Sequence, residues 1–417
     1  MTHYFAPLLH IYQPPTQDIE ILKKIDKESY KPLFKMIQEH ENAKFCLNIN
    51  GILVDMLYEF GLGDTMDLIK DLVKEKKLEI VGTAKFHPIL PLIPQKEAEH
   101  QIKLNEIVNK REFGKNWIKS GFFPPEMAIS PEVIKIVKDL GYEWIIMSGI
   151  AISSEWAYDK IYQSPEGLLL FFRDDILSNK ISFKEIKPNE FIDSLKNLFN
   201  NNNNNKNDVD DDNSYIIVAQ DGETFGHHIK NYEKDFLGKV LTKLEKEDEV
   251  QTCFISEIKN YFPIEKKPIT PKKSSWSTID TDLKDNEYYP LWKHKKNDIH
   301  RHYWKIVNNL NKLIELADSI DKSKNWETEQ YYKTARWFYD RGLHSCPTWW
   351  SNPNRGTWSP NLIYRGTELL IRAALNAQLA VIKSDKQKAA ESEPLFDAIS
   401  HYHSILLMEI MTVSSEM

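Results

Sequence analysis

The sequence predicts an α/β fold, a parallel barrel of about seven βα units over residues 1–262 followed by a helical domain over residues 298–417. Three observations predict it. Short β-branched or aromatic runs alternate with amphipathic stretches whose apolar residues recur three or four apart, the pattern of repeated strand–helix units. No Gly-x-Gly-x-x-Gly follows the first strand, which removes the best signal for a doubly wound dinucleotide-binding sheet. From about Asp298 onward the apolar period is helical throughout.

The predicted strands cover residues 4–10, 44–49, 78–82, 118–123, 144–148, 168–173 and 215–220. Helical segments lie between them, such as 65–76 and 131–140. The second of these carries its own punctuation: Ser130 at the N-cap, Pro131 at the first helical position and Gly141 just past the end. Residues 200–213, almost entirely Asn and Asp, have too little apolar surface to bury and read as a disordered surface insertion before the last strand. They lack the glycine and terminal glutamate of a calcium loop. Residues 263–297, rich in Pro, Lys and Ser at the start, read as a connecting segment. Beyond it, Ile306, Leu310, Leu313 and Leu316 open the helical part, which continues through 331–339, 368–382 and 395–411.

Composition excludes several classes. With 54 Lys plus Arg against 61 Asp plus Glu the net charge is −7, and no long basic stretch is present to engage a phosphate backbone, so no nucleic-acid partner is expected. No uncharged apolar run is long enough to span a bilayer, and the opening residues lack the basic head and apolar run of a leader, so no membrane partner and a cytoplasmic location are expected. Cys46, Cys253 and Cys346 are odd in number and far apart, which argues against a disulfide framework and a zinc knuckle. Neither a cofactor motif nor a metal-ligand spacing is found.

In a parallel barrel the functional groups sit where strands end, because the loops that follow build the active face. The first strand runs into His10-Ile-Tyr-Gln13-Pro-Pro. The third ends in Glu79-Ile-Val-Gly-Thr-Ala-Lys-Phe-His87-Pro. The fourth runs into Gly121-Phe-Phe-Pro-Pro-Glu126, and the last into Gln220-Asp221-Gly-Glu223-Thr-Phe-Gly-His227-His228. Glu126 and Asp221, carboxylates on different strands, are the minimum kit for cleaving a glycosidic bond: one acid protonates the leaving oxygen, and a second carboxylate meets the anomeric carbon. Taken singly, each has a plainer reading. Glu126 suits an acceptor of backbone N–H groups near a helix start, Asp221-Gly a turn, and His10 and His87 hydrogen-bonded core histidines. Their coincidence at strand ends favours a site.

These blocks, in this order, resemble the motif regions of glycoside hydrolase family 57, over roughly residues 3–365. The resemblance implies a retaining enzyme acting on α-glucans or maltooligosaccharides (an α-amylase, 4-α-glucanotransferase, amylopullulanase or branching enzyme) built as an incomplete (β/α)7 barrel with a helical domain behind it. It implies Glu126 as nucleophile, ionised at the start, and Asp221 as general acid/base, with His10, Gln13, Glu79, His87 and Glu223 lining the sugar site. Phe123, Pro124 and Met127 stand where the family more usually has Trp, Leu and Cys, which leaves the carboxylate in place and alters the shape around it.

Aromatic faces stack on sugar rings, so Trp276 and the tandem Trp349-Trp350 are candidate substrate contacts, with core packing as the alternative. Cys346 lies among those aromatics and reads as a small buried hydrophobe, with a place in the site as the alternative; Arg173 reads as a partner of Asp174, Asp175 or another barrel carboxylate, with a sugar contact as the alternative. Two other functions compete. A metal-dependent polysaccharide deacetylase on a related barrel needs His-x-x-x-His, and no two of the 13 histidines are four apart. A silent carbohydrate-binding protein would commonly have lost one of the two carboxylates, and both are here.

Overall fold

In the computed structural model, residues 2–152, 156–203, 213–247 and 249–417 are described. The strands among them are β1 (His3–Ile11), β2 (Phe45–Ile49), β3 (Leu78–Val81), β4 (Gly121–Phe122), β5 (Trp144–Ser148), β6 (Tyr162–Gln163), β7 (Leu169–Arg173), β8 (Ser214–Asp221) and β9 (Val250–Thr252) in a first unit, with two short ones elsewhere. Strand β1 is buried along nearly its whole length and β2 along all of it, as expected of parallel strands covered on both faces.

One parallel sheet runs β3-β2-β1-β8, and β9 joins β1 alongside His3, Tyr4 and Phe5, below the stretch from Leu8 to Ile11 that pairs with β2. A second sheet runs β4-β5-β7, with β6 folding back antiparallel onto β7. The sheets touch at two places. Gly82 beside β3 donates to Gly121 O (2.8 Å) and accepts from Phe123 N (2.8 Å), while Asp174 N, just past β7, donates to Ile217 O of β8 (2.8 Å). The chain is thus mixed α/β with parallel sheets and a helical C-terminal region.

Register sets the depth of each side chain. Ala219, Leu8, Cys46 and Glu79 form one row across β8, β1, β2 and β3; two residues nearer the carboxyl ends, Asp221, His10, Asn48 and Val81 form the next. Residues two apart on a strand share a face, so both rows point the same way. Leu8, Cys46, Val81, Trp144, Phe171 and Ile217 pack in one buried apolar cluster on that face, and the row above brings polar groups to its rim.

Six of the seven predicted strands match to within a residue at each end. The fourth shrinks to Gly121–Phe122, because Ile118 is 71% exposed and packs on nothing that would extend the ladder. Gly121 is required there: a Cβ would lie 1.9 Å from the Trp144 ring. Strands β6 and β9 escape sequence reading because two or three residues carry no readable alternation. The helix Pro131–Asp139 forms as punctuated, with Ser130 Oγ accepting from Val133 N (3.3 Å) and Gly141 at φ 87°. The helix Pro188–Asn203 runs into the Asn-rich stretch, and residues 204–212 of that predicted insertion lie outside the described residues.

The first unit comprises Met1–Gln13, Gln17–Lys85 and Gln95–Trp276, so it takes in part of the segment read as a connection. The reason is local: Ser274 bridges Ile129, and Trp276 bonds to Glu126. The second unit, Pro14–Thr16, Phe86–Pro94 and Ser277–Met417, is built on the helices Asp298–Asp318, Trp326–Gly342, Pro360–Ser384 and Lys386–Glu416. Asn297 and Asn325 cap the first two, accepting from His300 N (3.0 Å) and Thr328 N (2.8 Å). Ile306, Leu310 and Leu313 lie fully buried against Ala373, Ala377 and Ala380, whose small side chains let the helices approach closely. No described helix is long and apolar enough to cross a membrane.

Candidate active site

Glu126 is reached through Pro124 and Pro125, which hold the chain extended out of β4. It then enters the left-handed region at φ 59°, and Met127 follows at φ 47°. Two consecutive non-glycine residues in that region cost on the order of 1–3 kcal/mol each and persist only where neighbours over-determine them. Those neighbours are visible. Met127 N donates to Pro124 O (2.8 Å), Ala128 N to Pro125 O (3.0 Å), and the capped helix at Pro131 fixes the exit. Trp276 grips Glu126 twice, its backbone N–H donating to Glu126 O (3.1 Å) and its indole Nε1–H to Oε2 (2.8 Å).

The rim row supplies the partners. Asp221 ends β8 in register with His10. His10 is buried and its Nδ1 bonds Asn48 Oδ1 (2.6 Å); burial lowers its pKa, so the ring stays neutral with Nδ1 the donor to the amide oxygen. Its face stacks on Phe123 (centroids 4.9 Å, planes 8° apart), and Trp276 stands edge-on to both rings at 5.8 Å. The Arg173 guanidinium lies over the Trp276 ring at 5.7 Å. As predicted it pairs with an adjacent carboxylate, Asp175 (2.6 Å), and it also donates to Ala219 O (2.8 Å) and Asn179 (3.0 Å).

Glu223, two residues past Asp221, is buried and accepts at Oε1 from Gln13 Nε2 (3.0 Å) and from the Tyr30 hydroxyl. Burial first, and the Asp221 charge second, push Glu126 up to about 8 and Glu223 up to about 7. The indole N–H on Glu126 acts in the opposite direction and is outweighed. Both carboxyls are therefore harder to ionise than exposed ones, because the enclosure of each side chain penalises its charge.

The structure brings His10, Gln13, Glu126, Asp221, Glu223 and Trp276 together in the first unit. Glu79 is not among them. It occupies the deeper row beside Cys46, its carboxylate taking hydrogen bonds from Ser120 (3.3 Å) and Ser256, and burial pushes it up to about 7. It begins its strand instead of ending it, which the strand-end reading overlooked. His87, Trp349 and Trp350 belong to the second unit. There His87 is buried and bonds Ser345 Oγ (2.9 Å), the two indoles stand perpendicular with centroids 4.8 Å apart, and Trp350 packs on the helical core. Cys346 is partly buried beside them.

Two contributors went unread. Asn48 had a legible signal, a lone amide in the otherwise apolar strand FCLNI. Tyr30 had none, because it lies outside every motif block and contacts Glu223 across 193 residues of sequence.

The first unit is thus an α/β assembly whose strand ends gather three coupled carboxyl groups among aromatic rings. The chain belongs to Glycosyl hydrolase family 57, whose profile matches residues 3–270. It is similar to an α-amylase of Pyrococcus horikoshii (26% identical over 271 residues, 61% of this chain and 40% of the relative) and to a 4-α-glucanotransferase of Thermococcus kodakarensis (23% over 263 residues, 60% and 38%). The chain therefore spans about two fifths of the length of these relatives. In fold it is similar to a branching enzyme from Pyrococcus horikoshii, with a TM-score of 0.75 at 14% identity over 98% of this chain and 97% of the other. A 4-α-glucanotransferase from Thermococcus litoralis gives 0.68 at 19%, over 89% and 59%.

Proposed function

We propose that the protein is a retaining glycoside hydrolase or transglycosylase acting on α-glucans, with Glu126 as nucleophile and Asp221 as general acid/base. The observation that carries the reading is that Asp221 ends β8 in register with His10, whose ring meets Phe123 and Trp276, while the indole N–H of Trp276 is fixed on one Glu126 oxygen. Family membership and the activities named for the similar α-amylase and 4-α-glucanotransferase support it. His10, Gln13 and Glu223 complete the rim. We also read the two sheets as one incomplete (β/α)7 barrel. The backbone bonds at Gly82 and Asp174, which tie β3 to β4 and β7 to β8, support this.

The steps follow from the groups present. As the leaving oxygen of a bound sugar reaches Asp221, the proton held by the pair passes to Asp221, and Glu126 is left ionised with Oε2 pinned by Trp276 and Oε1 as the attacking atom. Glu126 forms a bond to the anomeric carbon while the glycosidic C–O bond breaks and the departing oxygen takes the proton from Asp221. In the second half Asp221 removes a proton from water or a sugar hydroxyl, whose oxygen bonds the anomeric carbon as the ester bond to Glu126 breaks. Water gives hydrolysis; a sugar gives transfer.

Incubation with one pure maltooligosaccharide, followed by chromatography, tests this. Shorter chains alone mean hydrolysis and a ladder of longer chains means transfer; an unchanged substrate, with α-glucan polymer also untouched, would overturn the proposal.

A further inference from the structure

Asp221 is the last residue of β8, and beyond it the ladder to β1 stops, so the direction of its side chain depends on what holds the turn that follows, Gly222–Thr224. That turn is held by Ser29 and Tyr30 of a π-helical segment, Asp26–Tyr30, lying between β1 and β2, and the preceding Glu28 holds the same loop further on, at His227. Ser29 Oγ, fully buried, donates to Gly222 O (2.9 Å). The Tyr30 hydroxyl, also fully buried, donates to Glu223 Oε1, and Gln13 Nε2 reaches both the same oxygen (3.0 Å) and the Tyr30 oxygen (3.3 Å). Glu28 Oε2 bonds His227 Nδ1 (2.8 Å). Gly226, at φ 114°, passes so close that a Cβ would lie 1.9 Å from Glu28 O.

The segment is itself anchored from behind. Asp26 accepts from Thr65 Oγ1 and pairs with Lys31 (3.1 Å), which also pairs with Asp64 (2.8 Å). A wide helical turn of this kind costs stability relative to a regular one and recurs at functional sites. Here it directs residues 28, 29 and 30 together at one loop.

We propose that Glu28, Ser29 and Tyr30 are positioning residues for the general acid/base, with Tyr30 acting through Glu223 to aim the Asp221 carboxyl at the leaving oxygen. This rests on the division of labour between Glu126 and Asp221 proposed above. Tyr30 is too deeply buried to meet a sugar, so its effect on catalysis passes through the loop.

The test compares two substrates of the full chain: a maltooligosaccharide, whose leaving oxygen needs a proton, and α-maltosyl fluoride, whose leaving group does not. Tyr30→Phe is expected to lower kcat on the maltooligosaccharide by roughly tenfold or more, with KM within about twofold, and to lower turnover of the fluoride several-fold less. Equal loss on both substrates, or no loss on either, would overturn the proposal. If Tyr30→Phe fails to fold by circular dichroism, Ser29→Ala and Glu223→Gln carry the same comparison with the same criteria. Asp221→Ala is run alongside. If it too lacks the leaving-group dependence, the division of labour fails and takes this proposal with it, whereas a normal Asp221→Ala response with equal losses in Tyr30→Phe removes the positioning role alone.

Discussion

Glu126 carries the sharpest conflict between burial and chemistry. Its carboxyl is held at about 8 in the folded protein against an ordinary value near 4.5, so the fold binds a proton there that the unfolded chain releases. The sign follows: stability from this group is fully present below about pH 4.5 and is lost as pH rises through about 8, where an enclosed charge must form. Glu126→Gln keeps the shape and an acceptor for the Trp276 indole without the ionisation. It is expected to leave the melting temperature nearly unchanged at pH 5 and to raise stability at pH 9 by on the order of 1 kcal/mol or more, read by calorimetry. A variant less stable at pH 9 than the parent would show that Glu126 ionises in the fold without penalty.

At the scale of elements, the site is assembled from turns that follow strands, and each turn is fixed by a neighbour distant in sequence. The Glu126 turn depends on residues 274–276, and the Asp221 turn on residues 28–30. Gly226→Ala would place a methyl against Glu28 O at a backbone angle that L residues avoid, whereas Gly61→Ala, at φ 75° in open space, adds only the angular strain. Gly226→Ala is therefore expected to lose activity on maltooligosaccharides and several degrees of melting temperature, Gly61→Ala to keep activity and lose about 1 kcal/mol. Similar behaviour of the two would mean that the close approach at Glu28 is unimportant. These dependences also mark the limit of legibility at this scale. The apolar runs of β1, β2, β3, β5, β7 and β8 and the caps of the helix at Pro131 are local properties and can be read from the chain. The left-handed pair at Glu126 and the wide turn at Asp26–Tyr30 are imposed by contacts from elsewhere, so no propensity records them.

For the whole molecule, the α/β first part and the helical second part follow from a change of apolar period near Asp298, the coarse signal that a sequence carries best. Both carboxylates and most of their rim were legible because strand ends place polar residues beside Pro and Gly. Glu79 stands a row deeper than its motif suggests because it lies at the start of β3, and its depth is a property of pairing between strands and not of any one of them.

The central claim, Glu126 as nucleophile and Asp221 as acid/base, is most directly tested by azide rescue of the two alanine variants on α-maltosyl fluoride. Both variants are expected to lose several orders of magnitude in turnover of maltooligosaccharides. In Glu126→Ala, azide can replace the missing nucleophile directly, giving a glycosyl azide of inverted configuration. In Asp221→Ala, azide attacks the sugar already bound to Glu126 and gives the retained configuration. NMR of the first-formed azide distinguishes them: inverted product from Glu126→Ala and retained product from Asp221→Ala is the result predicted, and the opposite pairing would contradict the assignment by exchanging the two roles.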